Sequence, residues 1–444
     1  MIGSFLLLIL FIIFFLKDNV KGVVVLVVIS LLNDMFKLSA GFSLPLHFII
    51  ALVYIPKILM QYKFISYRNR WTLQSLYIEF LYLAVLAFLF GYIIPWQSEY
   101  DFERSWSQKA EGRAIVQTIR LVAEFALILI LLLWLNTKRI TIDYLLKTIS
   151  IIIFASLMVS LTDTMLSGSL KQMFFPEARI LGDRFSGFNG EPRAFGRVCS
   201  IVLLFLVSFY NLSKKDIVIK MGLWSAIIGL AISMSASAYL MTLAWGGLFV
   251  IVTGRFRYFV AGIALVTLSL FFLNQNEFFR ESTLTKIENT VSEGDDYYST
   301  EKVSPNEPDI FSSFEVFDRA ALNFLYEDSF FLITGTGPNM ISIPSSPYLT
   351  ASTYAVYENR IDSVPHSFLV NLIARSGLVG LALWFIFIMR FTTTLKGYKK
   401  ELLALFMCIV LANFIVNASI FFLVIAVLLH ITGNIKGPKK EIYD

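Results

Sequence analysis

Charge is the first thing this chain lacks. Only 16% of its 444 residues are Asp, Glu, Lys or Arg, against about 25% in an average soluble domain. A soluble chain of this length carries roughly 110 charged residues; this one carries 69, of which 37 are basic and 32 acidic. That deficit excludes a disordered segment and a nucleic-acid-binding protein. Cysteine is nearly missing as well. Cys199 and Cys408 both lie inside apolar runs, which excludes a disulfide framework and leaves two small buried hydrophobes. Neither a cofactor nor a metal is expected.

Apolar residues are in excess, at 57% of the chain with a mean hydropathy of +0.71. A bilayer core of about 30 Å takes about 20 helical residues. By that ruler the expected spans are 2–16, 22–37, 42–60, 73–94, 114–135, 145–166, 194–212, 217–233, 237–253, 258–273 and 367–391, with 402–435 split in two near Asn417. The expected fold is therefore all-α: a single integral membrane domain over residues 1–444 with about 12–13 transmembrane helices. The first 16 residues have no positive start and no small-residue cleavage site, so they are expected to stay as the first helix.

Basic residues in short loops set the orientation. One set holds Lys63, Arg68 and Arg70; Lys138 and Arg139; Lys214, Lys215 and Lys220; Arg255 and Arg257; and Lys396, Lys399 and Lys400, with Lys436, Lys439 and Lys440 in the tail. These loops alternate along the chain and are expected in the cytoplasm with the C-terminus, which puts the N-terminus outside. The opposite set includes 167–193 and the long segment 274–365, where 15 acids face five bases. Loops beyond about 15 residues are usually functional or disordered.

Chemistry is expected in those two outward loops. Phe311, Phe314, Phe317, Ala321 and Leu325 recur at helical spacing, so an amphipathic helix is expected on the membrane surface, with Glu315, Arg319 and Asn323 on its polar face. Ser363 suits a helix N-cap whose first turn holds Pro365 and His366. Gly377 and Gly380 further along suit close helix packing. Within the fifth span, Arg120 and Glu124 sit four residues apart, as a buried ion pair or a functional contact. Glu191 either holds a hydroxyl or pairs with Arg193. Asp34, Glu79, Asp163 and Arg375 have no assigned role.

Three pieces in this order resemble the bacterial O-antigen ligases and the related O-antigen and exopolysaccharide polymerases. They are Arg319 followed by Gly335-Thr336-Gly337, His366 opening a helix with Gly377 and Gly380, and the stretch from Arg184 through FNGEPRAFG, which contains Glu191 and Arg193. The resemblance covers residues 182–444 and departs from the family at Ser367, where Asn is usual, at Arg375, where an acid is common nearby, and at SMSASAY, which lacks a usual Arg.

The resemblance implies a GT-C-like bundle in the bacterial inner membrane, its large helical outer loop capping a cavity open to lipid. It also implies a metal-independent glycosyltransferase that polymerises undecaprenyl-diphosphate-linked repeat units at the outer face. His366 would be the general base, since a neutral imidazole can accept a hydroxyl proton at pH 7. Arg319, Arg184 and Arg193 would hold the diphosphate, with Arg120 behind them and Glu191 on the acceptor. Partners would be the lipid-linked glycan, the bilayer and a chain-length regulator in the membrane, with no nucleic acid. Transfer of finished glycan to lipid A core is the near alternative, and a polysaccharide flippase is the alternative of another class.

Overall fold

A computed structural model describes residues 2–39, 43–61, 70–93, 106, 109–175, 185–209, 216–254, 311, 314, 316–345, 348–349, 365, 368–395, 400–415 and 420–433. The described residues are mostly helical. In chain order come α1 (Ile2–Leu16), α2 (Val20–Leu32), strands β1 (Lys37–Ser39) and β2 (Ser43–Pro45), α3 (Leu46–Val53), α4 (Ile55–Met60), α5 (Arg70–Tyr92), α6 (Ala110–Asn136) and α7 (Ile142–Met165). They continue with α8 (Ser169–Phe174), α9 (Pro192–Ser208), α10 (Ile217–Ile232), α11 (Ala236–Thr253), α12 (Val316–Glu327), α13 (Ser329–Thr334), α14 (Phe368–Leu395), α15 (Lys400–Ile415) and α16 (Ile420–Gly433).

Local chemistry starts several of these helices. Asn19, Thr141, Asp216, Ser235 and Asp328 each accept a hydrogen bond from a backbone N–H of the first turn they precede, which satisfies a donor with no intrahelical partner. Gly254 ends α11 in the left-handed region at φ 72°, where a glycine meets little steric cost.

At the centre stand α6 and α16. Every residue from Ala126 to Leu135 is buried, as is every residue from Ile420 to Leu429. A helix apolar all round belongs inside a protein. Around this pair, α3 and α5 pack on α6, α14 packs on α5, and α9, α11 and α15 pack together. The outward surface is apolar too. On α5, Tyr77, Ile78, Leu81, Val85, Phe88 and Tyr92 form an exposed stripe at helical spacing. Water disfavours such a stripe and lipid does not.

Four described helices are long and apolar enough to cross a membrane: 72–92, 110–136, 142–165 and 369–395. Six shorter apolar helices accompany them. The expected helices on either side of Asn417 are α15 and α16, and Asn417 itself lies outside the described residues, as does 258–273.

Two expectations are corrected near the N-terminus. The expected span at 22–37 ends as a helix at Leu32, and Lys37–Ser39 pairs antiparallel with Ser43–Pro45, so the fold is not purely helical. Segment 42–60 is not one span either. It starts as strand β2 and then breaks between α3 and α4, where Pro56 stands at the start of α4. Proline has no N–H to continue the preceding helix and favours a new first turn.

Ion pairs show which loops share an end of the bundle. Asp18, between α1 and α2, binds Lys57 of α4 at 2.7 Å and Arg139, after α6, at 2.9 Å. Asn136 of α6 lies 2.7 Å from His430 of α16. Lys147 of α7 reaches Asp216, before α10, at 2.9 Å. These groups mark the basic end of the bundle. The C-terminal part of α5, the start of α6 and the start of α14 meet at the other end.

Candidate functional site

Segment 316–345 folds onto that other end through a break in α14. Gly377 is non-helical there, at φ 61° and ψ −172°, a region that essentially only glycine occupies. Breaking a helix frees carbonyls that would otherwise accept its own N–H groups. The 335–337 turn supplies donors in their place. Thr336 N donates to Ala374 O at 2.8 Å, and Gly337 N donates to Arg375 O at 2.9 Å. The two backbones meet at glycines on both sides: a Cβ built on Gly335 would lie 2.5 Å from Gly377 N, and one built on Gly377 would lie 2.2 Å from Ile333 O.

Side chains complete the attachment. Tyr82 Oη of α5 donates to Thr334 O at 2.6 Å. Arg113, buried near the start of α6, donates to Asn339 O at 3.0 Å and to Ser342 Oγ. Beneath them a second apolar core joins Phe324, Leu325, Phe331, Met340 and Ile341 to Leu86 and Phe90 of α5 and to Val370 and Ala374 of α14.

The amphipathic helix expected over 311–325 is α12, but its surroundings are not those expected. Arg319 is 2% exposed and Asn323 3% exposed, so the polar face is enclosed within protein rather than lying against solvent at a membrane surface. A buried guanidinium persists only where its charge is compensated.

Further along the same helices lies a group of charges, one buried and three half-buried. Glu79 of α5 is 4% exposed, with one carboxylate oxygen lacking a hydrogen-bond partner. Arg375 of α14 acts electrostatically on both Glu79 and Glu124, and Arg120 acts on Glu124. Arg120 thus belongs to a four-residue cluster shared by α5, α6 and α14, which is more than an i,i+4 pair. Sequence reasoning left Glu79 and Arg375 without a role; ionisable residues within apolar spans were the signal that could have joined them.

The other motif region, before α9, is a separate polar clamp. Asp34 Oδ1 accepts from Gly190 N at 2.7 Å, and Asn189 Oδ1 accepts from Asp34 N at 3.3 Å. Asn189 Nδ2 donates to Leu32 O at 3.3 Å, and Ser156 Oγ donates to Asn33 Oδ1 at 2.9 Å. Lys171, buried on α8, reaches Ser186 Oγ and lies 3.8 Å from Asp163. Burial pulls its ammonium below the usual lysine range, against the attraction of Asp163 and Asp34. The FNGE turn is therefore held by the 32–35 segment at the end of α2, where the carboxylate of Asp34 had no expected role.

Of the expected site residues, Arg120 belongs to the α5–α6–α14 cluster, and Arg319 lies on α12, which packs on α14. Glu191 is exposed at the N-cap of α9 and its side chain makes no cap bond. Arg193 lies in the first turn of α9, its side chain outside the described residues. His366 and Arg184 also lie outside the described residues. Near His366, Asn371 Nδ2 donates to Pro365 O at 3.1 Å, which ties the lead-in of α14 to its first turns.

Fold and site together define a helical membrane protein with arginines buried at one end of its bundle. Comparison with protein-family models, curated proteins and solved structures returns no match.

Proposed function

We propose that this protein is a membrane glycosyltransferase that polymerises undecaprenyl-diphosphate-linked repeat units at the outer face of the bacterial inner membrane. One observation supports the reading most. The Gly335–Gly337 turn hydrogen-bonds to the Gly377 segment of α14, and the Arg319 helix packs on the same helix. In this reading the bundle is GT-C-like, 274–365 is the periplasmic cap, the basic end is cytoplasmic and a cavity opens to lipid.

Such a reaction asks for positive charge at a departing diphosphate and a base at the incoming hydroxyl. Arg319 supplies the first, with Arg184, Arg193 and Arg120 as the further cations. A guanidinium grips phosphate oxygens bidentately, so no metal is needed. His366 takes the proton of the acceptor hydroxyl as its oxygen bonds to the anomeric carbon. The bond from that carbon to the diphosphate oxygen breaks, and the electron pair leaves with the lipid diphosphate. Direct attack inverts the anomeric centre. In this reading Glu191, exposed before α9, holds the acceptor.

Surface glycan from a deletion strain, resolved on a gel, tests the reading. A polymerase defect leaves single repeat units attached to the cell surface, restored to ladders by wild type but not by His366→Ala. A carrier lipid loaded with finished polymer would instead indicate a ligase. Repeat units trapped on the cytoplasmic side would indicate a flippase.

A further inference from the structure

We infer that Asn323 is a sugar-binding residue, contacting hydroxyls of the lipid-linked glycan beside the diphosphate held by Arg319. The inference rests on the donor-site reading above and names a residue that reading does not use. On α12, Ala321, Phe324 and Leu325 face the second apolar core. At 3.6 residues per turn, Arg319 and Asn323 lie about half a turn round from that stripe. Four residues apart, they share one face with side chains about 6 Å apart. The face points away from the apolar core and is still enclosed, with Arg319 2% and Asn323 3% exposed.

Neither the amide nitrogen nor the amide oxygen of Asn323 has a hydrogen-bond partner. Buried amides are nearly always satisfied, and an unsatisfied one calls for a partner or an explanation. An amide offers two donors and a two-lone-pair acceptor on one plane. Neighbouring sugar hydroxyls, each both donor and acceptor, match that pattern, whereas a phosphate, which only accepts, would leave the carbonyl oxygen unpaired. The guanidinium of Arg319 suits the anion one turn away, so a diphosphate followed by its first sugar fits the stripe in sequence.

The purified full chain in nanodiscs provides the test, with binding read from ligand-induced shifts in thermal unfolding. The two probes are undecaprenyl diphosphate and the undecaprenyl-diphosphate-linked repeat unit extracted from the native host. Wild type is expected to bind the glycosylated carrier more tightly. Asn323→Leu, close in size and apolar, should keep affinity for undecaprenyl diphosphate and lose about ten- to a hundredfold for the glycosylated carrier, the equivalent of two hydrogen bonds. Without ligand it should be no less stable than wild type, since it removes two unpaired polar atoms. Asn323→Ala should show the same selective loss and serves if leucine overpacks the helix. If both variants bind the two probes as wild type does, or if wild type binds the two probes equally, Asn323 does not contact sugar while the donor-site reading stands. If wild type binds neither probe, the donor-site reading falls and takes this inference with it.

Discussion

Replacing Gly335 by alanine probes the joint between the 329–345 segment and α14. At φ 75° and ψ 174° Gly335 occupies a region essentially closed to residues with a Cβ, at a cost of about 1–3 kcal/mol. The added methyl would also lie 2.5 Å from Gly377 N and Ser376 C. Those are backbone atoms, so they yield only if the hydrogen bonds from Thr336 and Gly337 lengthen. Overpacking of this kind adds about 1–3 kcal/mol. Gly335→Ala should therefore lose about 2–6 kcal/mol, the sum of those two ranges. Gly254 supplies the control: it too has positive φ, at 72°, but a Cβ there meets nothing within 4 Å. Gly254→Ala should cost the conformational part alone, about 1–2 kcal/mol. Thermal unfolding of the two variants purified side by side measures the difference. Equal melting temperatures would show that the backbones are not pressed together at Gly335, and the joint described here would be wrong.

Arg113→Ala strips donors from Asn339 O and Ser342 Oγ and should cost about 1–3 kcal/mol, with faster amide exchange confined to residues 338–345 by mass spectrometry. Asp18 is held below its ordinary 3.8 first by the Lys57 hydrogen bond and also by Arg139. A depressed carboxyl stabilises the fold above its unfolded value and loses that contribution as pH falls through the folded one. Asp18→Asn should thus remove part of the acid sensitivity below pH 3.8, costing under about 1 kcal/mol at neutral pH because the pair is solvent-exposed; an unchanged acid limb in pH-dependent melts would contradict this. Under the proposed function, Arg319→Lys should insert at normal abundance and lose most polymer, since an ammonium does not reproduce the bidentate fork. His366→Ala and His366→Gln should each lose about 10²–10⁴-fold in rate, and wild-type ladders from either at matched expression would exclude the base.

Long helices were legible because their signal is local. The run 114–135 needs nothing but its own apolar residues to be α6, and Arg139 of the expected basic loop Lys138–Arg139 falls at the bundle's basic end. Segment 42–60 was misjudged because summed hydropathy is blind to a strand pair and to Pro56, whose effect is on the backbone. The polar face of α12 was legible as polar and not as buried. Burial depends on which parts of the chain cover it, and no periodicity encodes that. Glu79 and Arg375 were visible one by one, but α5 and α14 are almost 300 residues apart, so only the fold sets their charges against each other. The clamp around Asn189 was invisible for the same reason, since its partners Leu32 and Asp34 lie more than 150 residues earlier in the chain.

The break at Gly377 ties these features to one consequence for how the protein works. Within a bilayer every backbone polar group must be satisfied by protein, because lipid offers no hydrogen bonds. α14 is long and apolar enough to span, yet Ala374 and Arg375 direct their carbonyls at Thr336 and Gly337 of the 329–345 segment. Lifting that segment would take these donors from both carbonyls and open the glycine-lined seam between Gly335 and Gly377. Tyr82 and Arg113 would lose their acceptors at the same moment. Four separate attachments, from α5, α6 and twice from α14, thus hold the segment in place. The 329–345 segment is for that reason a fixed part of the membrane bundle and not a lid. Arg319 and Asn323, on the helix that leads into it, keep a constant height relative to the Glu79–Arg375 cluster below. Under the proposed function, a substrate therefore reaches Arg319 and Asn323 without the 329–345 segment detaching.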